Sequence, residues 1–378
     1  MNNKRRNLVK ALPLGALFPW QVVNGLANAN SLNYPVDYST EGSPQTGVDT
    51  LYDKAVVIDG LVIPRGWDAD SFAALAKTGY SGFNASLNSG NLKVAMASLE
   101  EWSQRVVDHP DRLIQVRTAE DFVRAKQEGK VAVVFGFQNG TMIEKSIDNI
   151  DKLYDAGTRW IQLTYNERNL LGDGCTERTN AGLSDFGVEA VERMNELGIV
   201  IDVSHSGRQT TNDGIAFSKT GVSINHSMCE ALYKDHPRAK TDAQIKAMAD
   251  KGGVIGIICL GYMIGPDPGG ATTLDTYVDH IEHAIKIAGI DHVGVASDYA
   301  IEGLEANGAT RENWYVPRLT RFKPSYQVRW PPWIPELDST DRYRHVARVL
   351  DERGYSTGDI EKILGQNWIR YYREVLKA

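Results

Sequence analysis

The chain has 378 residues, 42% of them hydrophobic and 24% charged, which suits one large domain with insertions. Its formal net charge of −7 comes from acidic and basic residues interspersed along the sequence, which leaves no basic groove for nucleic acid and no cationic face for lipid. Cys175, Cys229 and Cys259 contain no CxxC spacing, which argues against a disulfide scaffold and a structural zinc knot; Cys229 and Cys259 read as small buried apolar residues.

At the N-terminus, Arg5 and Arg6 precede the apolar stretch LPLGALFPWQVV, which is too short to span a bilayer. The pattern predicts a twin-arginine export signal over residues 1–29, with Ala27-Asn28-Ala29 as the cleavage point. The twin-arginine export machinery is then a partner, and the mature protein is periplasmic or otherwise exported, with no membrane span after cleavage. An uncleaved anchor is the weaker alternative. Residues 30–50 are rich in Ser, Pro, Gly and Asn and lack an apolar period, so they read as a tether or a strap on the surface.

From Ala55 onward, short Val- and Ile-rich runs alternate with helical patterns. The strand-like runs are AVVID, SGFNASL, RLIQV, VAVVFGF, RWIQLTY, GIVIDVSH, GVSINHS, KGGVIGIICL and HVGVASD, which makes eight strands and one short extra. Gly157, Gly198, Gly252 and Gly289 stand just after helical stretches, where a chain stop with positive φ is expected. This rhythm predicts a single (β/α)8 TIM barrel over residues 51–378, of the metal-dependent hydrolase type. A Trp- and Pro-rich excursion at about 310–335 breaks the rhythm, and helices from Asp341 to Leu376 close the chain. The tryptophans of the excursion line a substrate mouth or pack over the barrel end; the residues alone favour neither.

His205, His226 and Asp298 each fall at the end of a predicted strand, so a parallel barrel delivers all three to the face where such barrels carry their chemistry. Two imidazoles and a carboxylate make a three-ligand set for a catalytic zinc with water in the fourth position. Asp298 would either coordinate the ion or take the proton of its water. Arg238 offers a planar fork for a substrate carboxylate, and Asp202 could orient a ligand from behind. The plainer readings are a hydrogen-bonded core role for each histidine, an arginine or helix-terminus partner for Asp298, and a surface position beside Lys240 for Arg238. His280 and His283 read as the solvated face of an outer helix.

The stretches LSDFGVEAVERMNELGIVIDVSHS (183–206), INHSMCEALYKDHPRAKTDAQIKAMADKGGVIGI (224–257) and HVGVASDYAIEG (292–303), with the closing GQNWIRYYREV, resemble the membrane (renal) dipeptidase family of zinc peptidases, peptidase family M19. The resemblance implies a (β/α)8 barrel, a homodimer, and a two-zinc centre that hydrolyses dipeptides, often with a D-residue at the carboxyl end. It places His205 and His226 at the second metal position, Asp298 at the first, and Arg238 as the clamp on the substrate carboxylate. The departures fall on the metal site. Leu61 and Ile63 stand where the family has His-x-Asp, and Gln138 replaces the bridging glutamate, keeping only a neutral carbonyl oxygen as a metal donor. Tyr165 replaces a substrate-side histidine and offers a phenol to the substrate or to a developing oxyanion. Asp68 and Asp70 are the nearby acids that could take over a lost ligand position.

These residues predict an exported, dipeptidase-like hydrolase of a small carboxylate-bearing amide or dipeptide with a reduced, one-zinc site. The alternative is a non-peptidase member of the fold that binds or matures a small exported molecule, or that performs a lyase or isomerase step on a carboxylate substrate.

Overall fold

The computed structural model describes residues 47–64, 66–265 and 272–377, all within one compact unit, Gln45–Ala378. The export signal expected over 1–29 and the first part of the expected strap lie outside the described residues. The last residues of that segment, from Gly47, are helical. Gly47–Lys54 forms a helix in which Val48 and Asp49 are buried, and Arg348 holds the Asp49 carboxylate at 2.9 Å. No helix among the described residues is long and apolar enough to cross a membrane.

Nine parallel strands form the sheet: β1 (Ile58–Val62), β2 (Gly82–Leu87), β3 (Leu113–Gln115), β4 (Val131–Phe137), β5 (Thr158–Gln162), β6 (Val200–Asp202), β7 (Ser223–Ser227), β8 (Val254–Ile258) and β9 (Val293–Ala296). The path runs β1-β2-β4-β5-β6-β7-β8-β9, and β3 is the short extra strand, paired to β4 alone. Val62 bridges Tyr299 in parallel, and Asp298 N donates to Leu61 O at 2.9 Å, so the two ends of the path meet. The architecture is a (β/α)8 TIM barrel. Every residue of β1 and of β5 to β9 is buried, as expected for parallel strands packed on both faces.

Local chemistry accounts for the helices between the strands. Asp185–Leu197 begins at Ser184, whose Oγ accepts from Gly187 N at 3.0 Å, and ends at Gly198 with φ of 79°, a left-handed turn that glycine adopts without steric penalty. Helix Leu274–Ala288 departs from expectation, because His280 faces inward. Its Nδ1 accepts from Cys229 N at 3.1 Å and its Nε2 donates to Ile264 O at 3.0 Å, while His283 pairs with Asp242 at 2.7 Å. The helix packs against both the barrel and the neighbouring helix Asp242–Asp250, so neither histidine lies on a solvated face. Cys229 and Cys259 are fully buried, as expected. The 310–335 excursion is more ordered than its composition suggests. Thr310 and Asn313 form a capping box, and the chain is helical from Arg311 to Arg321.

A buried polar relay closes the barrel seam. Asp59 on β1 accepts from Ser297 N at 2.8 Å and Leu61 N at 3.0 Å through one carboxylate oxygen, and from the Tyr80 hydroxyl at 3.0 Å through the other. Arg342 donates to that same hydroxyl at 2.9 Å and to Leu337 O and Ile301 O at 3.0 Å each. Burial pushes the Asp59 carboxyl up, and the Arg342 guanidinium opposes the shift. The seam is tight: a Cβ on Gly60 would stand 2.6 Å from Asn225 O and 2.7 Å from the Trp368 ring.

Burial holds His236 down to about 3 and His280 down to about 4, so both rings are neutral in the fold and protonate only on unfolding. Stability is then retained above the unfolded value of about 6.5 and lost below it, by about 2 kcal/mol per histidine at pH 5. Urea unfolding between pH 7.5 and 5 should show this slope, and His280→Gln should flatten it by the share of one proton; a pH-independent midpoint would contradict the assignment.

Candidate active site

A cavity of about 350 Å³ opens at the carboxyl ends of the barrel strands. Ile63 follows β1, Gln138 follows β4, Tyr165 follows β5, His205 follows β6 and Asp298 follows β9, and all five line it together with Arg238. His226, on β7, is fully buried and is not part of the lining.

The two histidines meet at their ε nitrogens. His205 Nδ1 is 2.7 Å from Asn166 Oδ1, His226 Nδ1 bonds Asn225 Oδ1, and the two Nε2 atoms are 3.0 Å apart. An amide oxygen only accepts, so each ring keeps its N–H on the δ side and turns a bare ε lone pair toward the other ring. Burial, reinforced by the nearby Arg238 charge, pushes both imidazoles well below their usual range, so both rings are neutral. Two facing lone pairs attract only when a cation lies between them. The Tyr165 ring stacks on His205 with centroids 4.1 Å apart, which fixes the outer imidazole.

The elements that carry this pair are tied together by buried polar groups. Asp202 acts on the backbone rather than on a ring: it accepts from Ser204 N at 2.9 Å, and from Ser223 Oγ and Asn225 N at 2.7 Å each. All three Arg238 guanidinium nitrogens donate to the protein: Nε to Ser204 O at 3.0 Å, Nη2 to His226 O at 2.6 Å, and Nη1 to the Tyr326 hydroxyl at 3.3 Å. Arg238 is therefore a structural clamp on both histidine-bearing segments, with its guanidinium at the cavity wall. Neither it nor Lys240 is a surface residue. Lys240 Nζ donates to Val203 O, Ser206 O and Thr211 Oγ1, and burial, with Arg238, lowers its ammonium to about 7.

The expected metal set is not assembled as a set. Among the described residues no three His, Cys, Asp or Glu side chains stand close enough to hold one ion. Asp298 sits at the β1–β9 seam with φ of 57°, its backbone committed to Leu61 O, two strands away from β7. Gln138 Nε2 donates to Ser86 Oγ at 2.9 Å. Leu61 is fully buried in an apolar cluster with Ile58, Trp160 and Trp368, and its aliphatic side chain offers no donor to an ion. Asp68 caps helix Ala69–Thr78 by accepting from Asp70 N and Ser71 N, and neither Asp68 nor Asp70 lines the cavity. The donor set does not fit two ions; it offers one ion two imidazole nitrogens, each anchored from behind by an amide oxygen in the manner of ligating histidines.

Several site residues escape a reading of the sequence by motif. Asn166 and Asn225 are next to Tyr165 and His226 in the chain, so adjacency was an available signal. Tyr326, whose hydroxyl donates to Asn166 Oδ1 at 2.9 Å, comes from the excursion, as do the lining residues Arg318 and Arg321, and no motif marks them; of the excursion's tryptophans, Trp314 lines the cavity.

The family model of membrane dipeptidases, peptidase family M19, matches residues 71–315. Dipeptidase tcpJ of Claviceps purpurea is 28% identical over 275 residues, which cover 72% of this chain and 58% of that protein, so the match spans less than two thirds of that relative. An amidohydrolase from Pseudomonas aeruginosa superposes with a TM-score of 0.77 at 29% identity over 87% of this chain and 99% of its own. A metallopeptidase from Rhodobacter sphaeroides, solved with a phosphinate mimic of the dipeptide L-Ala-D-Ala, shares the fold with a TM-score of 0.70 at 16% identity over 85% of this chain and 99% of its own. The matched residues include the strands that carry Gln138, Tyr165, His205, His226 and Asp298, and the chain belongs to the membrane dipeptidase family, peptidase family M19.

Proposed function

We propose that the protein is a dipeptidase-type hydrolase of a small carboxylate-bearing amide, exported through its Arg5-Arg6 signal and working with one zinc-class ion in place of the family's two. The observation that carries this reading is the pair of neutral imidazoles whose ε lone pairs converge at 3.0 Å while amide oxygens hold both δ sides. His205 and His226 would hold the ion, which when bound supplies carbonyl polarisation and a water of lowered pKa. Asp298 stands outside the imidazole pair, so its carboxylate is the group to take the proton of the attacking water. Burial, and then the Asp298 charge, raise the Tyr165 phenol, which keeps its proton and donates to the oxygen that becomes negative. Arg238 contributes positive charge at the cavity wall while holding Ser204 and His226 in place. Homodimerisation, implied by the family, belongs to the same proposal.

A second reading has its own support. Leu61 in an apolar cluster and Gln138 bonded to Ser86 remove the charge that the family's chemistry uses, which favours a member that binds or matures a small exported molecule, or that performs a lyase or isomerase step on a carboxylate, without hydrolysis.

Two measurements test these roles. Protein recovered from its export compartment without chelators should carry about one ion per chain, and His205→Ala or His226→Ala should lose it. Asp298→Asn should keep the ion while cleavage of a dipeptide panel falls by about 10²–10⁴-fold. Bound metal near zero, or no cleavage of any dipeptide, favours the second reading. Arg238→Met should lower the urea unfolding free energy by about 1–3 kcal/mol for each buried carbonyl left without its donor, at Ser204 and His226. Unchanged stability would show that Arg238 is not a structural clamp.

A further inference from the structure

Among the described residues, the charges that line the cavity do not balance. Arg238, Arg318 and Arg321 line it, and Asp298 is the single carboxylate among its described lining residues. Arg318 and Arg321 lie on the short helix Val316–Arg321, three residues apart and so on one face, and reach the cavity from the excursion rather than from a barrel strand. Neither forms an ion pair with a described residue, although arginines elsewhere in the protein do, Arg353 with Asp275, Asp279 and Glu282 among them.

Arg318 is held rather than free. Its Nη1 donates to Trp314 O at 2.8 Å, and its guanidinium carbon stands 3.7 Å from the Trp314 ring centroid. It is only partly exposed, and Arg321 stands at the exposed rim, 5.8 Å from the Tyr165 ring centroid. The Asp298 charge reaches Arg318 only from beyond ion-pair distance, and a guanidinium so fixed in a concave site is a preorganised receptor for a carboxylate, since planar bidentate pairing brings the largest gain where little ordering remains to be done. Arg238 spends three of its five guanidinium N–H groups on protein oxygens, and the other two, one on each Nη at the cavity wall, remain for the ligand's first acidic group.

We propose that Arg318 and Arg321 form a second anion subsite, so that the ligand of this cavity carries two acidic groups, as in a dipeptide ending in glutamate or aspartate. The proposal rests on the reading that the cavity takes a small carboxylate-bearing amide. It adds a charge requirement at the part of the ligand nearest the excursion, and the excursion is then the element that sets specificity.

The test compares Ala-Glu with Ala-Gln, which differ by one negative charge at nearly constant shape, by calorimetric titration at low ionic strength with released amino acids assayed in the same samples. Ala-Glu should bind the parent protein on the order of tenfold more tightly. The ratio should fall toward unity in Arg318→Gln, Arg321→Gln and the double variant, with Ala-Gln binding little changed, and it should shrink as salt rises. Arg311→Gln, on the same excursion but outside the cavity lining, should keep the parent ratio and so controls for a general loss of positive charge. Near-ultraviolet circular dichroism of each variant confirms that Trp314 stays packed. Equal binding of the two dipeptides by the parent, or an unchanged ratio in the double variant, overturns the subsite. Selective binding without cleavage leaves the subsite standing and removes the hydrolase reading; cleavage without charge preference does the reverse.

Discussion

Closure of the barrel at the β1–β9 seam is the constraint on which the rest of this structure depends. Asp59 bonds the backbone of Ser297 across the seam, and Arg342 meets the same carboxylate through the Tyr80 hydroxyl. A buried carboxylate is unfavourable by itself, so it persists here because each oxygen accepts hydrogen bonds and a guanidinium stands behind the network. The Asp298 N to Leu61 O bond and the Val62–Tyr299 bridge continue the seam toward the cavity. Were this edge open, strand ends separated by more than two hundred residues of sequence would not surround one mouth.

Within that mouth the family scaffold has exchanged one kind of interior for another. Where the family resemblance places ligands after the first strand, this chain buries Leu61 among Ile58, Trp160 and Trp368. That apolar cluster stabilises the barrel by burial, and its aliphatic Leu61 offers no donor to an ion. On the β6–β7 side the interior is polar. Asp202 pins the backbone of Ser204 and Asn225, Asn166 and Asn225 hold the δ sides of the two imidazoles, and Arg238 joins the segments that carry them. A network with so many hydrogen bonds between its members is rigid, and rigidity is what keeps two lone pairs aimed at one point.

The excursion between β9 and the closing helices completes the cavity from outside the barrel. Its helix supplies Trp314 and Arg318, and Tyr326 reaches Asn166. Barrel enzymes vary their ligands through such segments while the strands stay constant. Here the added segment brings positive charge to a wall whose own charged groups are Arg238 and Asp298.

The sequence by itself determined the barrel and the strand-end positions. Val- and Ile-rich runs, helix-stop glycines such as Gly198 and the offsets of His205, His226 and Asp298 from their strands are local properties, and local propensity acts over a few residues. The tertiary structure decided which of those side chains meet. That the two imidazoles touch while Asp298 stays apart depends on strand order and on the left-handed turn at residue 298. That Arg238 is committed to protein oxygens depends on residues up to 88 positions away, and the Tyr326–Asn166 contact spans 160. His280 turned inward because Cys229 N and Ile264 O, distant in the chain, meet its two ring nitrogens. Periodicity carries no information about such encounters, since they arise only when the chain has closed on itself and burial forces every polar group to find a partner.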